Sequence, residues 1–325
     1  MKKVHPILSP CTEDLDKIEV VLQEHFASYV PFITEVTEYI LFAGGKRLRP
    51  LLTVLCAKLC GKNDSKLYEL SVVPEYLHAA SLLHDDVIDE GELRRGRPPA
   101  YKKWGNKAAI LSGDFLYAKA IYIASGFGDV RIAQTIAETV SLMSEGEVIQ
   151  LLRAKDIHFD ETTYNDVIFR KTAALILASC KIGGLWAGVS DEKVKALSDY
   201  GLKLGLAFQM IDDLLDYTAD TGELGKKVGT DLAEGKITLP VILAFNRLKD
   251  DEQEELINIF RKEEKDQDDF FWVKEKLIQT GAIQDTKEKA KNLVDEAVKG
   301  LELFDICPER KVLENIAWYV VERKK

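Results

Sequence analysis

The interval between Pro99 and Pro240 contains no proline, and no other feature of the sequence restricts the fold as strongly. Proline breaks a helix interior because it lacks the amide donor and its ring clashes with the preceding turn. The interval is rich in Ala, Leu, Ile, Glu and Lys, which are good helix formers. Its apolar residues recur at steps of three and four, as from Ile168 to Ile182, without any series of alternating strands. The sequence therefore predicts an all-α fold.

Glycine-containing segments separate the predicted helices. Turns or loops are predicted at residues 44–45, 61–65, 91–99, 126–129 and 222–235. No linker or low-complexity tract divides the chain, so residues 1–325 are predicted to form a single domain of many packed helices.

The formal net charge of -10 limits the classes of partner. Nucleic acid requires a basic surface, so an acidic chain is not expected to bind it. The five cysteines are sparse and odd in number, which predicts no disulfide framework and fits a reducing, cytoplasmic compartment. The most apolar stretch, 173–189, is interrupted by Lys181 and by a glycine pair, so no membrane span is predicted.

Two segments, 85–89 and 212–216, share the pattern Asp-Asp-x-x-Asp within an apolar helical context. The first and last carboxylates of each lie one helical turn apart on the same face. Such pairs suit Mg²⁺, which prefers oxygen ligands and keeps waters and substrate phosphates in its shell. The candidate catalytic carboxylates are Asp85, Asp86, Asp89, Asp212, Asp213 and Asp216.

The alternative interpretation of these segments is a solvated acidic face. Apolar neighbours such as Leu83 and Leu214 indicate that both helices are buried on their other sides. Clustered carboxylates beside buried apolar residues are costly unless a cation neutralises them. The metal-binding interpretation is therefore favoured.

Basic residues occur around both acidic segments. They are Lys46, Arg47 and Arg49 in a Gly-Gly-Lys-Arg-Leu-Arg-Pro motif, Arg94 and Arg95, Lys171 beside Thr172, and Lys226, Lys227 and Lys236. Arginine offers a planar fork to phosphate oxygens and lysine a mobile point charge. Each cluster alone is typical of a protein surface, but their grouping in an acidic chain favours a diphosphate ligand.

The order of these motifs resembles the trans-prenyltransferases, also called polyprenyl diphosphate synthases, over residues 42 to 240. The shared motifs are the glycine-basic motif at 44–50, His78, Arg94-Arg95-Gly96, Gly113-Asp114-Phe115-Leu116, Glu145-Gly146-Glu147 with Gln150, Lys171-Thr172, Phe208-Gln209, Gly225-Lys226 and Gly235-Lys236. One departure is Lys227, where the family commonly has proline.

The resemblance implies an isoprenoid synthase-like bundle of antiparallel helices around a central catalytic cavity. It also implies a cytoplasmic, Mg²⁺-dependent homodimer that condenses isopentenyl diphosphate head-to-tail with an allylic diphosphate, either farnesyl or geranylgeranyl. By this resemblance, three Mg²⁺ ions per site would accompany the bound diphosphate, with Asp85, Asp89 and Asp212 as metal ligands.

The resemblance also divides the cations between two substrates. The residues assigned to the allylic diphosphate are Arg94, Lys171, Thr172, Gln209, Lys226 and Lys236. Those assigned to isopentenyl diphosphate are Lys46, Arg49, His78 and Arg95. A lone histidine on an apolar helix is more often a hydrogen-bonded core residue, so His78 rests on the resemblance alone.

Product length is predicted from the helix before the first acidic motif. Ser81 and Ala80 lie one turn before Asp85, where the growing tail would pass, and both are small. Short-chain members of the family usually have an aromatic residue there, so a medium- or long-chain product is expected. The tunnel floor is expected near Tyr76, Leu77 or the facing segment Leu142-Met143. The alternatives are a short-chain farnesyl or geranylgeranyl diphosphate synthase, a terpene cyclase, a non-catalytic subunit of a hetero-oligomeric synthase, or a helical scaffold.

Overall fold

The structure is a computed structural model that describes residues 6–94, 96–153, 160–219 and 229–323. These residues form helices and turns without any strand, which confirms the predicted all-α class. The first helices are α1 (Thr12–His25), α2 (Pro31–Leu41), α3 (Leu48–Leu59), α4 (Ser65–Ser71), α5 (Val73–Ile88), α6 (Ala100–Trp104), α7 (Asn106–Ser125), α8 (Val130–Arg153) and α9 (Glu161–Ile168). They are followed by α10 (Ala174–Ala187), α11 (Asp191–Thr218), α12 (Thr230–Ala233), α13 (Leu239–Phe245), α14 (Asp250–Arg261), α15 (Gln267–Gln279), α16 (Ala282–Gly300) and α17 (Pro308–Glu322). Short 3₁₀ segments occupy Pro6–Cys11 and Leu301–Leu303, and a π-helix occupies Phe169–Ala173.

Four of the five predicted turns fall between helices. They separate α2 from α3, α3 from α4, α5 from α6 and α7 from α8. The fifth, 222–235, is described only from residue 229 onward, and there the prediction of a continuous loop is wrong because α12 begins at Thr230. The carboxylate of Asp216 accepts the Thr230 and Asp231 amides at 3.3 and 2.9 Å, so a distant side chain satisfies the first amides of this short helix.

The chain divides into two compact units. Unit 1 comprises Met1–Ser141, Leu175–Gly201 and Gly300–Ile316, and unit 2 comprises Leu142–Ala174, Leu202–Lys299 and Ala317–Lys325. The single-domain organisation around one cavity stays a prediction.

In unit 1 the helix with the first acidic motif, α5, packs along α7. Their approach is close because α7 presents Gly113 to the imidazole of His84, and a Cβ at this glycine would overlap that ring. His84 Nε2 lies 3.0 Å from the Ile110 carbonyl and 3.5 Å from Asp114 Oδ1. The Gly-Asp-Phe-Leu motif therefore holds the end of α5 that carries the carboxylates.

In unit 2 the second acidic motif lies near the end of α11. Tyr217 is fully buried there and stacks on Phe270 of α15, with ring centroids 6.1 Å apart and planes inclined by 3°. Gly229, with a φ of +87°, leaves room for the same Phe270 ring. This packing holds the start of α12 against the end of α11.

The apolar stretch 173–189 lies mainly in α10. This helix has 14 residues and so extends about 21 Å, which is short of the roughly 30 Å hydrocarbon core. Within the four described ranges, no helix has both the length and the apolar character needed to cross a bilayer.

Candidate active site

The first acidic motif occupies the last turn of α5. Asp85 is half-buried, Asp89 is the exposed residue that ends the helix, and the Asp89 amide donates to the Asp85 carbonyl at 2.8 Å. The two side chains thus lie one turn apart on a regular helix end, as the spacing predicts. Both carboxylates reach solvent, where a metal ion has access.

Asp86 differs from its neighbours because it is only 4% exposed. Its Oδ1 accepts from Arg94 Nε at 2.6 Å, whereas its buried Oδ2 has no hydrogen-bond partner among the residues that the structure describes. Burial raises the pKa of the Asp86 carboxyl although the Arg94 charge acts in the opposite direction. Arg94, a predicted diphosphate ligand, is therefore oriented by Asp86, and a carboxylate oxygen remains for a cation or its water.

The accessible line of α5 runs through His78, Ser81 and Asp85. All three are half-buried, and their spacing of three and four residues places them on one side of the helix. Of the two residues predicted to meet the tail first, Ser81 lies on this line, and its hydroxyl donates to the His78 carbonyl at 3.0 Å. Ala80 is completely buried.

Tyr76 and Leu77, the predicted tunnel floor, are also completely buried. Within the described part of the chain the Tyr76 hydroxyl has no hydrogen-bond partner, and burial raises the pKa of this phenol. A polar atom left in apolar surroundings is rare in native proteins. A buried phenol without a polar partner suits the apolar floor of a tunnel. The assignment of Tyr76 and Leu77 to the tunnel floor stays a prediction.

The glycine-basic motif forms the connection from α2 to α3. Lys46 is exposed, Arg49 is half-buried and Arg47 is buried. Gly44 and Gly45 have φ values of 109° and 145°, which residues with a Cβ rarely adopt. The two glycines are thus required by the backbone, while the cations alternate between solvent and interior.

In unit 2 the second motif presents Asp212 to solvent and buries Asp213. Asp212 Oδ1 lies 3.1 Å from Arg323 Nη2, which also donates to the Phe208 carbonyl at 3.0 Å. The guanidinium stacks on the Phe208 ring, 4.2 Å from its centroid. Arg323 was absent from the predicted site residues.

Asp213 is held by two hydrogen bonds. It accepts from the Tyr164 hydroxyl at 2.6 Å and from Gln209 Nε2 at 2.8 Å. Gln209 Oε1 in turn accepts from the Thr172 hydroxyl at 2.8 Å. Burial raises the pKa of Asp213 to about 7 although both hydrogen bonds act in the opposite direction.

Sequence reasoning missed Asp231, which sits inside the segment predicted as a loop. Burial, together with the charges of Asp213 and Asp216, raises the pKa of Asp231 to about 8. Burial also raises the pKa of Asp216, against the amide hydrogen bonds from α12. The negative charges of Asp213, Asp216 and Asp231 repel one another, and a bound divalent cation would offset this repulsion. The residues present therefore fit a metal site.

Lys171 lies in the π-helix and faces α8. Its ammonium donates to Gln150 Oε1 at 2.8 Å and lies 2.8 Å from Glu147 Oε1. Gly146 provides room, because a Cβ there would press on the Lys171 side chain. π-Helical turns are rare in proteins, and those that occur are often found at functional sites. The structure thus joins two motifs that the sequence places far apart.

The remaining predicted residues are placed as follows. Lys236 pairs with Glu234 Oε2 at 2.5 Å. Arg95 and Lys226 lie outside the described residues. Within the described ranges, no three His, Cys, Asp or Glu side chains are grouped as a protein-only metal site. Mg²⁺ is usually held by one or two carboxylates with waters and substrate phosphates, so paired carboxylates are sufficient.

We expect Tyr164→Phe to lower the free energy of unfolding by about 1–3 kcal/mol in metal-free protein, because it leaves the buried Asp213 oxygen unsatisfied. Urea denaturation measures this loss. Tyr39→Phe is the matched control, since its hydroxyl donates to the Pro98 carbonyl at an exposed position and should cost less. Equal stability of wild type and Tyr164→Phe would refute the role of this hydrogen bond.

Comparison with known proteins gives consistent results. The polyprenyl synthetase family model matches residues 30–277. The chain is 36% identical over 313 residues to octaprenyl diphosphate synthase of Escherichia coli, covering 96% of this chain and 97% of the relative. A decaprenyl diphosphate synthase from Rhodobacter capsulatus has a TM-score of 0.92 at 37% identity and covers 98% of each chain.

A further solved structure is a polyprenyl synthase from Caulobacter crescentus complexed with calcium and isoprenyl diphosphate. Its TM-score is 0.91 at 37% identity, and the match covers 98% of this chain and 97% of that chain. The family model's range, residues 30–277, includes both acidic motifs and the basic motifs described above. The chain belongs to the polyprenyl synthetase family.

Proposed function

We propose that this protein is a Mg²⁺-dependent trans-prenyltransferase that condenses isopentenyl diphosphate head-to-tail (1'-4) with an allylic diphosphate and releases a medium- or long-chain polyprenyl diphosphate. The observation that carries the proposal is the pair of Asp-Asp-x-x-Asp motifs, each near the end of a helix and each with a side-chain hydrogen bond to its middle aspartate. The octaprenyl and decaprenyl diphosphate synthases among the relatives support the longer product. A short-chain product is less supported.

Asp85, Asp89 and Asp212 would hold the metal ions, and the other motif carboxylates would orient bound water. Bound Mg²⁺ acts as a Lewis acid that lowers the charge on the diphosphate oxygens. Lys171, which contacts Glu147 and Gln150, is assigned to the allylic diphosphate, to which it would bring positive charge. Arg94, which contacts Asp86, is assigned to it as well. Lys226 and Lys236 are assigned the same task.

The chemical step then needs no nucleophile from the protein. The C–O bond of the allylic diphosphate breaks, and the double bond of isopentenyl diphosphate forms the new C–C bond. A proton leaves the adjacent carbon, and the departing diphosphate accepts it. The protein contributes orientation and electrostatic stabilisation, which account for large parts of many enzymatic rate accelerations.

Lys46, Arg49, His78 and Arg95 are assigned to isopentenyl diphosphate, which keeps its diphosphate. We expect Lys46→Ala and Arg95→Ala to raise KM for isopentenyl diphosphate about tenfold or more while KM for farnesyl diphosphate changes less. Steady-state kinetics with each substrate varied in turn measures both constants. The matched control is Lys17→Ala, which removes an exposed lysine of α1 paired with Glu13. Equal increases in KM for both substrates would contradict the assignment of these residues to isopentenyl diphosphate.

The proposal also includes a homodimer, a cytoplasmic location and three Mg²⁺ ions per site. An exposed apolar face on α7 supports self-association, since Leu111 and Tyr122 are 62% and 75% exposed there. All five cysteines are free thiols, which suits a reducing compartment. Light scattering gives the oligomeric state, and a Mg²⁺ titration with bound diphosphate gives the ion count.

The decisive experiment is incubation with Mg²⁺, isopentenyl diphosphate and farnesyl diphosphate, followed by sizing of the products. We expect products longer than geranylgeranyl diphosphate, and no product after chelation. Failure to incorporate isopentenyl diphosphate would refute the proposal and leave the non-catalytic subunit as the alternative. A cyclic product from farnesyl diphosphate alone would indicate a terpene cyclase.

A further inference from the structure

The basic motif at 44–50 contains one cation that is turned away from solvent. Arg47 is 4% exposed, while its neighbour Lys46 is exposed and Arg49 is half-buried. A buried guanidinium is costly unless its charge is paired and its donors are satisfied. Arg47 therefore has a task different from that of the two cations beside it.

The guanidinium of Arg47 joins three other helices to the start of α3. Nε donates to Glu19 Oε1 of α1 at 2.9 Å, and Nη1 donates to Glu75 Oε1 of α5 at 2.8 Å. Nη2 donates to the backbone carbonyl of Leu41, the last residue of α2, at 2.8 Å. One side chain thus ties the turn to α1, α2 and α5.

The backbone at Arg47 is itself unusual. Its φ of 51° and ψ of 36° lie in the left-handed region, where a residue with a Cβ is strained. Such a conformation persists only when the surroundings hold it, and it is often found at functional sites. Here the side chain holds it through four hydrogen bonds to Glu19, Glu75 and the Leu41 carbonyl, since Nη2 also donates to Glu19 Oε2 at 3.3 Å. Without these hydrogen bonds the backbone at Arg47 would leave the left-handed region, and the side chains of Lys46 and Arg49 would change direction.

Glu75 connects the turn to the first acidic motif. It is 7% exposed and lies on α5, one helical turn before His78 and on the same rigid helix as Asp85. We propose that Arg47 is a positioning residue that fixes Lys46 and Arg49 relative to α5. It would thereby set where the diphosphate of isopentenyl diphosphate sits relative to the first acidic motif. This inference rests on the proposed function.

The test compares Arg47→Met, Arg47→Lys and Glu75→Gln in the full chain. We expect Arg47→Met to raise KM for isopentenyl diphosphate about tenfold or more, because misplaced binding groups lose much of their effect. KM for farnesyl diphosphate should stay within about twofold, since the allylic site is assigned to other residues. Arg47→Lys keeps the charge but cannot reach all three acceptors, so its effect should be intermediate.

Glu75→Gln should raise the same KM, and adding it to Arg47→Met should raise it little further, because the two residues act as one unit. Lys58→Met is the matched control. Lys58 lies near the other end of α3 and pairs with Asp14 at 2.5 Å, with both side chains mostly buried. It should lower the melting temperature without changing KM for isopentenyl diphosphate.

The proposal is overturned if Arg47→Met leaves KM for isopentenyl diphosphate unchanged, raises both KM values alike, or matches Lys58→Met. If Arg47→Met does not fold, Arg47→Lys and Glu75→Gln decide by the same criterion. A wild type that does not condense the substrates refutes the proposed function. An active wild type with unaltered KM in the variants refutes only the positioning role.

Discussion

Asp85→Ala and Asp212→Ala should each reduce kcat by two to four orders of magnitude, the largest losses expected for any single substitutions in this protein. Each variant removes a carboxylate assigned to the ions that hold the allylic diphosphate. Losing such a contact in the transition state costs several kcal/mol, and about 1.4 kcal/mol corresponds to a tenfold loss of rate. Single-turnover and steady-state assays at saturating substrate measure the decrease, and a Mg²⁺ titration shows whether excess metal restores activity.

Two controls separate loss of a metal ligand from loss of structure. Arg323→Gln removes the ion pair with Asp212 but keeps the carboxylate, so its rate should stay well above that of Asp212→Ala. Asp295→Ala removes an exposed aspartate from α16 and should leave the rate unchanged. Near-normal turnover by Asp85→Ala or Asp212→Ala would refute the metal-binding role of that residue.

Ser81→Phe and Ala80→Phe should both shorten the product, stopping elongation near the farnesyl stage. A helical turn rises about 5.4 Å, close to one extended isoprene unit, so a ring one turn from Asp85 leaves room for only a short tail. Consumption of short allylic primers should continue because the acidic motifs are untouched. Chromatographic sizing of the products from each variant measures the change.

The two positions differ in surroundings, and this difference makes the experiment sharper. Ser81 is half-buried on the accessible line of α5, so Ser81→Phe should disturb the packed interior less. Ala80 is completely buried, so Ala80→Phe also overpacks the interior, which typically costs about 1–3 kcal/mol. Ser81→Ala is the size-matched control and should give wild-type products. Long products from both phenylalanine variants would show that the tail does not pass this turn.

Most of the fold was predictable because helix formation depends on local sequence. The absence of proline from 100 to 239 and the apolar steps of three and four predicted the run of helices, and α6 to α12 lie within it. The carboxylate pairs at 85–89 and 212–216 required only the helical period. The order of these and the neighbouring motifs resembled the polyprenyl diphosphate synthases, and the relatives confirm this family.

The parts of the site that were not predictable depend on residues distant in the chain. The first amides of α12 donate to Asp216, which lies 14 and 15 positions earlier in the chain. The environment of Asp213 depends on Tyr164, which lies 49 positions earlier in the chain. No periodic pattern in the sequence indicates either contact.

The sequence by itself determined the helical class, the positions of most turns, the two acidic motifs and the family, since these follow from local propensity, spacing and motif order. Only the tertiary structure decided which charged groups are buried and what they contact. It turned Arg47 inward between Glu19 and Glu75, and it placed Asp231 among the carboxylates of the second motif. The physical reason is that burial and ion pairing depend on segments brought together by folding, and residues equally charged in the sequence then differ in pKa, partners and access to solvent.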